Sequence, residues 1–322
     1  MISYPLDRHG LIRRGDALEA AFSDNLLASA VAAGHLIRLV PGVFVSNSDG
    51  FAGHDGAQEL HRLKSIAVAT SQTTTGPTLP LSHASAAAVL GIPLLKPDTT
   101  RVHVTNGKMA GGFIATHRHV HAAPLSDDEL VVVDDVLVTC LERTAVDVAS
   151  GGDFAQALTA FDQALRAGAD REVMDTILTS RRRQGGRVAR RALVLADKAA
   201  ESVGESWSRA QMIDAHLPTP RLQHEFRGRS GVYRADFDWE GKLVGEFDGM
   251  VKYGRFREAG KTVADVIVQE KLREDEIRAL GPIVVRWTWA ILEDGSFLDL
   301  LRTWLVDLEL MPALPASPLP SR

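Results

Sequence analysis

Hydrophobic and polar positions change period several times along these 322 residues. Over residues 233–248 they alternate. Tyr233, Ala235, Phe237 and Trp239 fall on one face of an extended segment, and Arg234, Asp236 and Asp238 on the other. Leu243, Gly245 and Phe247 separate in the same way from Val244, Glu246 and Asp248. With Glu240-Gly241-Lys242 as the connection, Asp236 lies across from Glu246 and Arg234 across from Asp248. A two-residue turn would put Asp236 and Glu246 on opposite faces. The alternation therefore predicts a hairpin with the three-residue connection or an equivalent bulge.

Helical and strand periods flank this hairpin. Residues 204–217 read as an amphipathic helix with Glu205 near its start, and 266–280 as another, stopped at Gly281. Residues 283–289 read as a buried strand. Near the N-terminus, 14–21 can form a short helix. Ser23 or Asp24 can cap a second helix through Gly34, with Leu26, Leu27, Ala30 and Val31 along it. Residues 36–45 then read as a hairpin turning at Pro41-Gly42. An Ala/Leu-rich amphipathic helix is expected over 154–167, with Gly168 as its stop, and further helix over 171–178 and 187–200. The Pro/Ser-rich end reads as disordered.

The acids in the 233–253 hairpin region carry the candidate chemistry. Acids depress strand propensity and are costly to bury unpaired. Two carboxylates a few ångströms apart also disfavour each other's ionisation unless a cation sits between them. Hard oxygen ligands suit Mg2+ or Mn2+. The alternative is a salt-bridged, exposed hairpin face with Arg234 neutralising Asp248.

The residues of 202–304 resemble the restriction-endonuclease-like PD-(D/E)XK superfamily, and within it the very-short-patch-repair-like branch. The resemblance is carried by Glu205, Asp236, the string Gly245-Glu246-Phe247-Asp248-Gly249, the stretch Glu270-Lys271-Leu272-Arg273-Glu274-Asp275, and Val285-Arg286-Trp287. It implies that Asp236 and Glu246 hold Mg2+ or Mn2+, with Glu205 completing the shell, for cleavage of DNA phosphodiester bonds. The family places a Lys two residues after the second acid, and here that position is Asp248. Lys252 or Lys271 would have to serve instead, and without a suitable Lys the domain would be a non-cutting one.

The helix, helix, hairpin order of the N-terminus is that of a winged helix. With Pro41-Gly42-Val43-Phe44-Val45 it resembles AbiEi-type antitoxins of type IV toxin–antitoxin systems, and the match continues weakly through 81–95 and 139–148. This implies a DNA-binding or protein-binding regulatory module, with a cognate toxin as a candidate partner. The expected reading helix has no Lys or Arg. It offers Asn25 and Ser29, with His35 and Arg38 beyond, which is a poor base-reading surface.

The expected architecture is α/β and multi-domain. A winged helix over 1–50 precedes a small α/β domain over 51–150. A helical connector spans 151–200, a restriction-endonuclease-like α/β/α domain spans 201–305, and 306–322 is the disordered tail. Two functions fit: a metal-dependent endonuclease with N-terminal targeting or control, or a non-catalytic antitoxin-like regulator on a degenerate nuclease fold.

Composition narrows this little. Net charge is −5, which argues against a generally basic nucleic-acid coat. One local patch stands out, made of Arg181, Arg182, Arg183, Arg187, Arg190 and Arg191. It reads either as a solvated helical edge or as a contact to the phosphate backbone, which would be sequence-independent. The single Cys140 lies in an apolar stretch, excludes an internal disulfide and fits a reducing, cytoplasmic setting. No apolar run is long enough to span a membrane, and no signal-peptide pattern opens the chain. His117, His119 and His121 share one strand face, with His103 on a nearby expected strand. Ligands at i, i+2 and i+4 spread over roughly 13 Å, so three of them cannot meet one ion without another element. His83 reads as a packed histidine at a helix start. Walker-type phosphate loops, CxxC pairs and GxSxG elbows are absent.

Overall fold

The structure is a computed structural model that describes residues 3–71, 79–180, 184–228, 231–249 and 279–312, leaving aside the side chains of residues 54 and 55. It is mixed α/β and divides into two compact units, Met1–Val194 and Leu195–Arg322.

The first unit begins with β1 (Ile12–Arg13), α1 (Arg14–Glu19), α2 (Asp24–Ala32), β2 (Leu36–Val40) and β3 (Val43–Ser46). Ser23 starts α2 by accepting the Leu26 N–H at 3.2 Å, as its position predicts. The β2–β3 hairpin turns at Pro41-Gly42, where Gly42 has φ of 79°. Strand β1, too short to register in the alternation, pairs with β3 and completes a three-stranded sheet. Ile12, Ala17, Leu27, Leu36 and Phe44 form its core.

Helix α3 (Gly53–Thr70) follows, then α4 (His83–Leu90), β4 (Val102–Gly107), β5 (Phe113–Ile114), β6 (Arg118–Pro124), β7 (Leu130–Val133) and β8 (Val136–Thr139). β4 and β6 run parallel, with β5 antiparallel on the far side of β6, and β7 and β8 form a hairpin. Leu81 bridges Val104 and Val138, tying these strands together. Val102, Val104 and Val120 turn into the core with Ile66 and Val138, so the intervening His103, His119 and His121 lie on the opposite side of the β4–β6 pair.

Helices α5 (Leu141–Gly151), α6 (Phe154–Arg166) and α7 (Arg171–Thr179) follow, and α8 (Gly186–Leu195) ends at the boundary between units. Asp153 and Gln156 form a capping box at the start of α6. α5 packs on α4, α6 and α7. The helices α6 and α7, expected as part of a connector over 151–200, thus lie within the first unit. Arg143 of α5 is fully buried and ion-paired to Glu129 at 2.7 Å and Asp147 at 2.8 Å. It also donates to Pro124 O at 3.1 Å, which fixes the end of β6 to α5.

The second unit contains α9 (Val203–Asp214), β9 (Arg221–Arg227), β10 (Val232–Trp239), β11 (Leu243–Asp248), β12 (Ile283–Thr288), α10 (Trp289–Glu293) and α11 (Phe297–Asp307). The sheet order is β12-β11-β10-β9; β11 and β12 are parallel and the others antiparallel. Phe237 pairs with Gly245 and Trp239 with Leu243, the register that the three-residue connection predicts. Phe237, Trp239, Leu243, Val285 and Trp287 pack with Phe297, Leu301 and Leu305 of α11. An added Cβ at Gly245 would stand 2.5 Å from the Trp287 ring, so glycine lets the ring lie on the sheet. At the start of the tail expected over 306–322, α11 runs to Asp307, and Leu308, Leu310 and Met311 pack against this core. Residues 313–322 lie outside the described residues. Among the described residues, no helix is long and apolar enough to cross a membrane.

Candidate functional site

The acidic site of the second unit is assembled by three elements. Helix α9 is capped by Ser202, whose Oγ accepts the Glu205 N–H at 3.1 Å. The helix lies close on β11 because residue 204 is glycine: a Cβ there would fall 2.0 Å from the Phe247 ring. Trp287 of β12 donates to Ser208 Oγ at 2.8 Å, a second tie between α9 and the sheet. Glu205 is buried at the head of this helix.

Asp236 meets it from β10. The β10–β11 ladder runs from Trp239–Leu243 to Phe237–Gly245 and stops one pair short of Asp236 and Glu246. There Asp236 Oδ2 accepts the Phe247 N–H at 2.9 Å, so the carboxylate supplies the acceptor at the point where the two strands part. Gln223 of β9 links the acids. Its amide donates to Glu205 Oε2 at 3.0 Å and lies 3.4 Å from Asp236 Oδ1. Gln223 has φ of 51°, left-handed backbone that is rare for a residue with a side chain. Nothing in the alternation of 221–227 singled it out, because a left-handed residue inside a strand is set by tertiary packing.

Burial and the neighbouring Asp236 charge push the Glu205 carboxyl up to about 7, against hydrogen bonds from the Glu201 N–H, Ser202 and Gln223 that favour its ionised form. Glu246 is buried on β11, in register with Arg286 of parallel β12, whose Nη2 is 3.9 Å from Glu246 Oε2. Asp248 ends β11 opposite Thr288. Asp238 has a structural role: fully buried, it is ion-paired to Arg221 and accepts the Gly241 N–H at 2.8 Å in the connection. Arg234, expected opposite Asp248, reaches Glu201 at 3.4 Å and Glu225 at 3.6 Å. Lys252 and Lys271 lie outside the described residues.

The arginine patch is described in part. Arg181, Arg182 and Arg183 lie outside the described residues. Arg187, Arg190 and Arg191 are exposed on α8, and Arg191 stacks its guanidinium 3.9 Å from the Phe154 ring centroid. Cys140 is half-buried, and burial pushes its thiol up to about 11, which disfavours the thiolate at neutral pH.

The histidines behave differently from a flat strand face. β4 runs parallel to β6, with His103 beside His119 and Thr105 beside His121, and α4 brings His83 onto the same place. His103 Nδ1 is 2.9 Å from His121 Nε2. The His83 ring stacks on that of His121 with centroids 3.7 Å apart, and the His119 ring stacks on it at 3.9 Å. Burial, reinforced by the neighbouring imidazoles, lowers His103 to about 4 and His121 to about 2. Among the described residues, His83, His103 and His121 are the set of three whose ligand atoms all lie within 4.8 Å of one another. The sequence-based objection that the strand histidines need another element holds for 117, 119 and 121. The missing elements are β4 and the start of α4.

No family model matches the chain. Two curated proteins of Mycobacterium tuberculosis, the uncharacterised MT2308 of strain CDC 1551 / Oshkosh and Rv2248 of strain ATCC 25618 / H37Rv, are each 33% identical to it over 155 residues. That alignment covers 43% of this chain and 57% of each relative, so the chain spans little more than half the length of the curated relatives it matches. Among solved structures, the RV2827C protein from Mycobacterium tuberculosis aligns over 69% of this chain and 83% of its own, at 17% identity and a TM-score of 0.37.

Proposed function

We propose that the second unit is a restriction-endonuclease-like domain that cleaves DNA phosphodiester bonds with Mg2+ or Mn2+ held by Asp236 and Glu205, with Glu246, which the described residues do not gather with them into one ligand set, drawn in by the ion. The observation that carries this reading is the meeting of Glu205 and Asp236 across the Gln223 amide, with the Glu205 carboxyl raised by burial and by the Asp236 charge. Two acids brought together at a buried helix head form an oxygen donor set suited to a hard divalent ion, which would relieve their repulsion. When bound, the ion supplies a water of lowered pKa and neutralises charge on the scissile phosphate. Gln223 holds the two carboxylates in place, and the Phe247 N–H orients Asp236. The N-terminal unit, read as a winged helix followed by an antitoxin-like α/β region, would supply targeting or regulation. Exposed Arg187 and Arg190 offer contacts to the phosphate backbone.

One observation favours a second reading. Asp248 stands where the resembled family carries its Lys, which fits a non-catalytic DNA-binding or toxin-binding regulator on a degenerate nuclease fold.

Calorimetric titration of Mn2+ into wild type and Asp236→Ala, followed by plasmid nicking with the same samples, separates the two. Mn2+ binding and nicking by the wild type, both lost in Asp236→Ala, establish the nuclease. Absence of Mn2+ binding in the folded wild type moves the assignment to the regulator.

A further inference from the structure

The imidazole cluster of the first unit is independent of the acidic site and is built as a metal centre is built. Each histidine sits on a different element whose backbone is fixed. The Ser82 N–H donates to His103 O at 3.0 Å, and the His103 N–H donates to Ser85 Oγ at 2.9 Å, so two hydrogen bonds clamp the start of α4 onto β4. His83, between those contacts, has φ of 51°, a left-handed conformation that costs a non-glycine residue of order 1 kcal/mol or more. That backbone places its ring over His121. Its Nδ1 lies 3.0 Å from Ser82 Oγ, which fixes the orientation of the ring. His121 is aligned by the β4–β6 ladder.

His103 Nδ1 points into the cluster; buried Nε2 makes no hydrogen bond and faces Asp98 Oδ2 at 3.9 Å. A carboxylate hydrogen-bonded to the far nitrogen is the usual means of fixing the ring of a metal-bound histidine, and Asp98 stands on that side of His103 but beyond hydrogen-bond reach. The cluster opens onto a cavity of about 1090 Å³ whose wall also carries Asp98, Asp147 and Gln156.

We propose that His83, His103 and His121 form a three-imidazole site for a borderline divalent transition metal, of which Zn2+ is the type, with its fourth position open to this cavity. Three nitrogens on a tetrahedral Zn2+ stand about 3.3–3.4 Å apart, from a Zn–N bond of about 2.0–2.1 Å. The 2.9 Å His103–His121 separation must widen by about half an ångström, and ligand atoms as far apart as the 4.8 Å limit of the set must close by about 1.4 Å, both through χ rotations of the imidazoles. Three neutral nitrogens favour Zn2+, Co2+ or Cu2+ over the hard ions suited to carboxylate oxygens. An open position next to a cavity is the arrangement of a site that binds water or an exogenous ligand rather than of a closed structural site. His119, stacked on His121, lies at the rim and outside the triad.

The test uses the full chain with no histidine tag, since a tag would bind metal itself. Zn2+ is titrated by calorimetry, and Co2+ by its visible absorption, into wild type, His121→Asn, His103→Gln and Asp236→Ala; circular dichroism checks that each is folded. The expected result is one Zn2+ per chain at this site, a tetrahedral Co2+ spectrum, and unchanged binding in Asp236→Ala. Affinity should fall in His121→Asn by more than the about 10–100-fold that loss of an outer partner costs. Asp98→Asn, beside His103 but outside the ligand set, should cost no more than that range. Folded wild type that takes up no Zn2+, or Zn2+ affinity equal in wild type and folded His121→Asn, would overturn the proposal. Because His103 is buried, the half-buried His121 and exposed Asp98 variants decide the matter if His103→Gln does not fold.

Discussion

Phe247 donates its backbone N–H to Asp236 Oδ2 at 2.9 Å, just past the last paired rung of the β10–β11 ladder, Phe237–Gly245. Asp236 therefore has two roles, acceptor for the backbone and candidate ligand, and the two can be separated by substitution. Asp236→Asn keeps an oxygen for Phe247 and removes the charge. It should fold at near wild-type stability, lose Mn2+ binding, and lower the Glu205 carboxyl toward its ordinary value by removing the neighbouring charge. Asp236→Ala also leaves the Phe247 N–H without this acceptor, which costs about 1–3 kcal/mol. Thermal melts in chelator should rank wild type and Asn together, above Ala. An Asn variant that still binds Mn2+ as the wild type does would remove Asp236 from the ligand set.

Gly204 should be as sensitive as any acid. Its Cα faces the Phe247 ring so closely that a Cβ would lie 2.0 Å from it, and the ring edge cannot retreat without moving the residue whose N–H holds Asp236. Gly204→Ala is expected to destabilise the second unit by about 1–3 kcal/mol through overpacking. It should also weaken Mn2+ binding although residue 204 carries no ligand. Denaturant unfolding and Mn2+ calorimetry on the same preparation check both. An Ala variant of unchanged stability would show that α9 does not depend on this close approach.

What the sequence could reveal follows from how local each feature is. The register of 233–248 was readable because a period of two and a three-residue connection leave one consistent pairing, and Phe237 does lie opposite Gly245. The caps at Ser23 and Asp153 are equally local. Gln223 was not readable: its left-handed backbone and bridging amide depend on α9 and β10 arriving from elsewhere in the chain. His83 was invisible as a ligand for the same reason. It is 20 residues before His103 and 38 before His121 in sequence, and only the parallel β4–β6 pair and the Ser82 contact bring them together. Two-residue β1 offers no alternation to read, and Arg143 looked like any helical arginine until its two acids were placed around it.

Arg143 gives a prediction for the first unit. It is buried at 0% exposure with two carboxylates on it, and it joins α5 to Pro124 at the end of the strand that carries His121. Burial alone would lower its pKa, but Asp147 and Glu129 hold it above the ordinary arginine value. Arg143→Met strands two acids near one another in a poorly hydrated site and is expected to cost about 3–5 kcal/mol. The triple variant Arg143→Met, Glu129→Gln, Asp147→Asn should recover a large part of that loss. Chemical denaturation of the set provides the check, and a single variant as stable as the wild type would show that the triad contributes nothing.

Glu205 makes the stability of the second unit depend on pH in a definite direction. Its carboxyl is raised by burial and by Asp236 from the ordinary 4.5 to about 7 in the folded chain. The folded state then holds the proton more tightly than the unfolded state, so the contribution is fully present below 4.5 and is lost as pH rises through about 7. In chelator, the melting temperature should fall between about pH 5 and about pH 8. Glu205→Gln, which cannot ionise, should flatten that dependence and be the more stable protein at the alkaline end by up to about 3 kcal/mol. Added Mn2+ should reverse the alkaline loss in the wild type by favouring the ionised carboxylate, and should do less for Glu205→Gln. Parallel melting profiles for the two proteins, with and without Mn2+, would mean that Glu205 serves only to close the start of α9, where it accepts the Glu201 N–H at 2.8 Å.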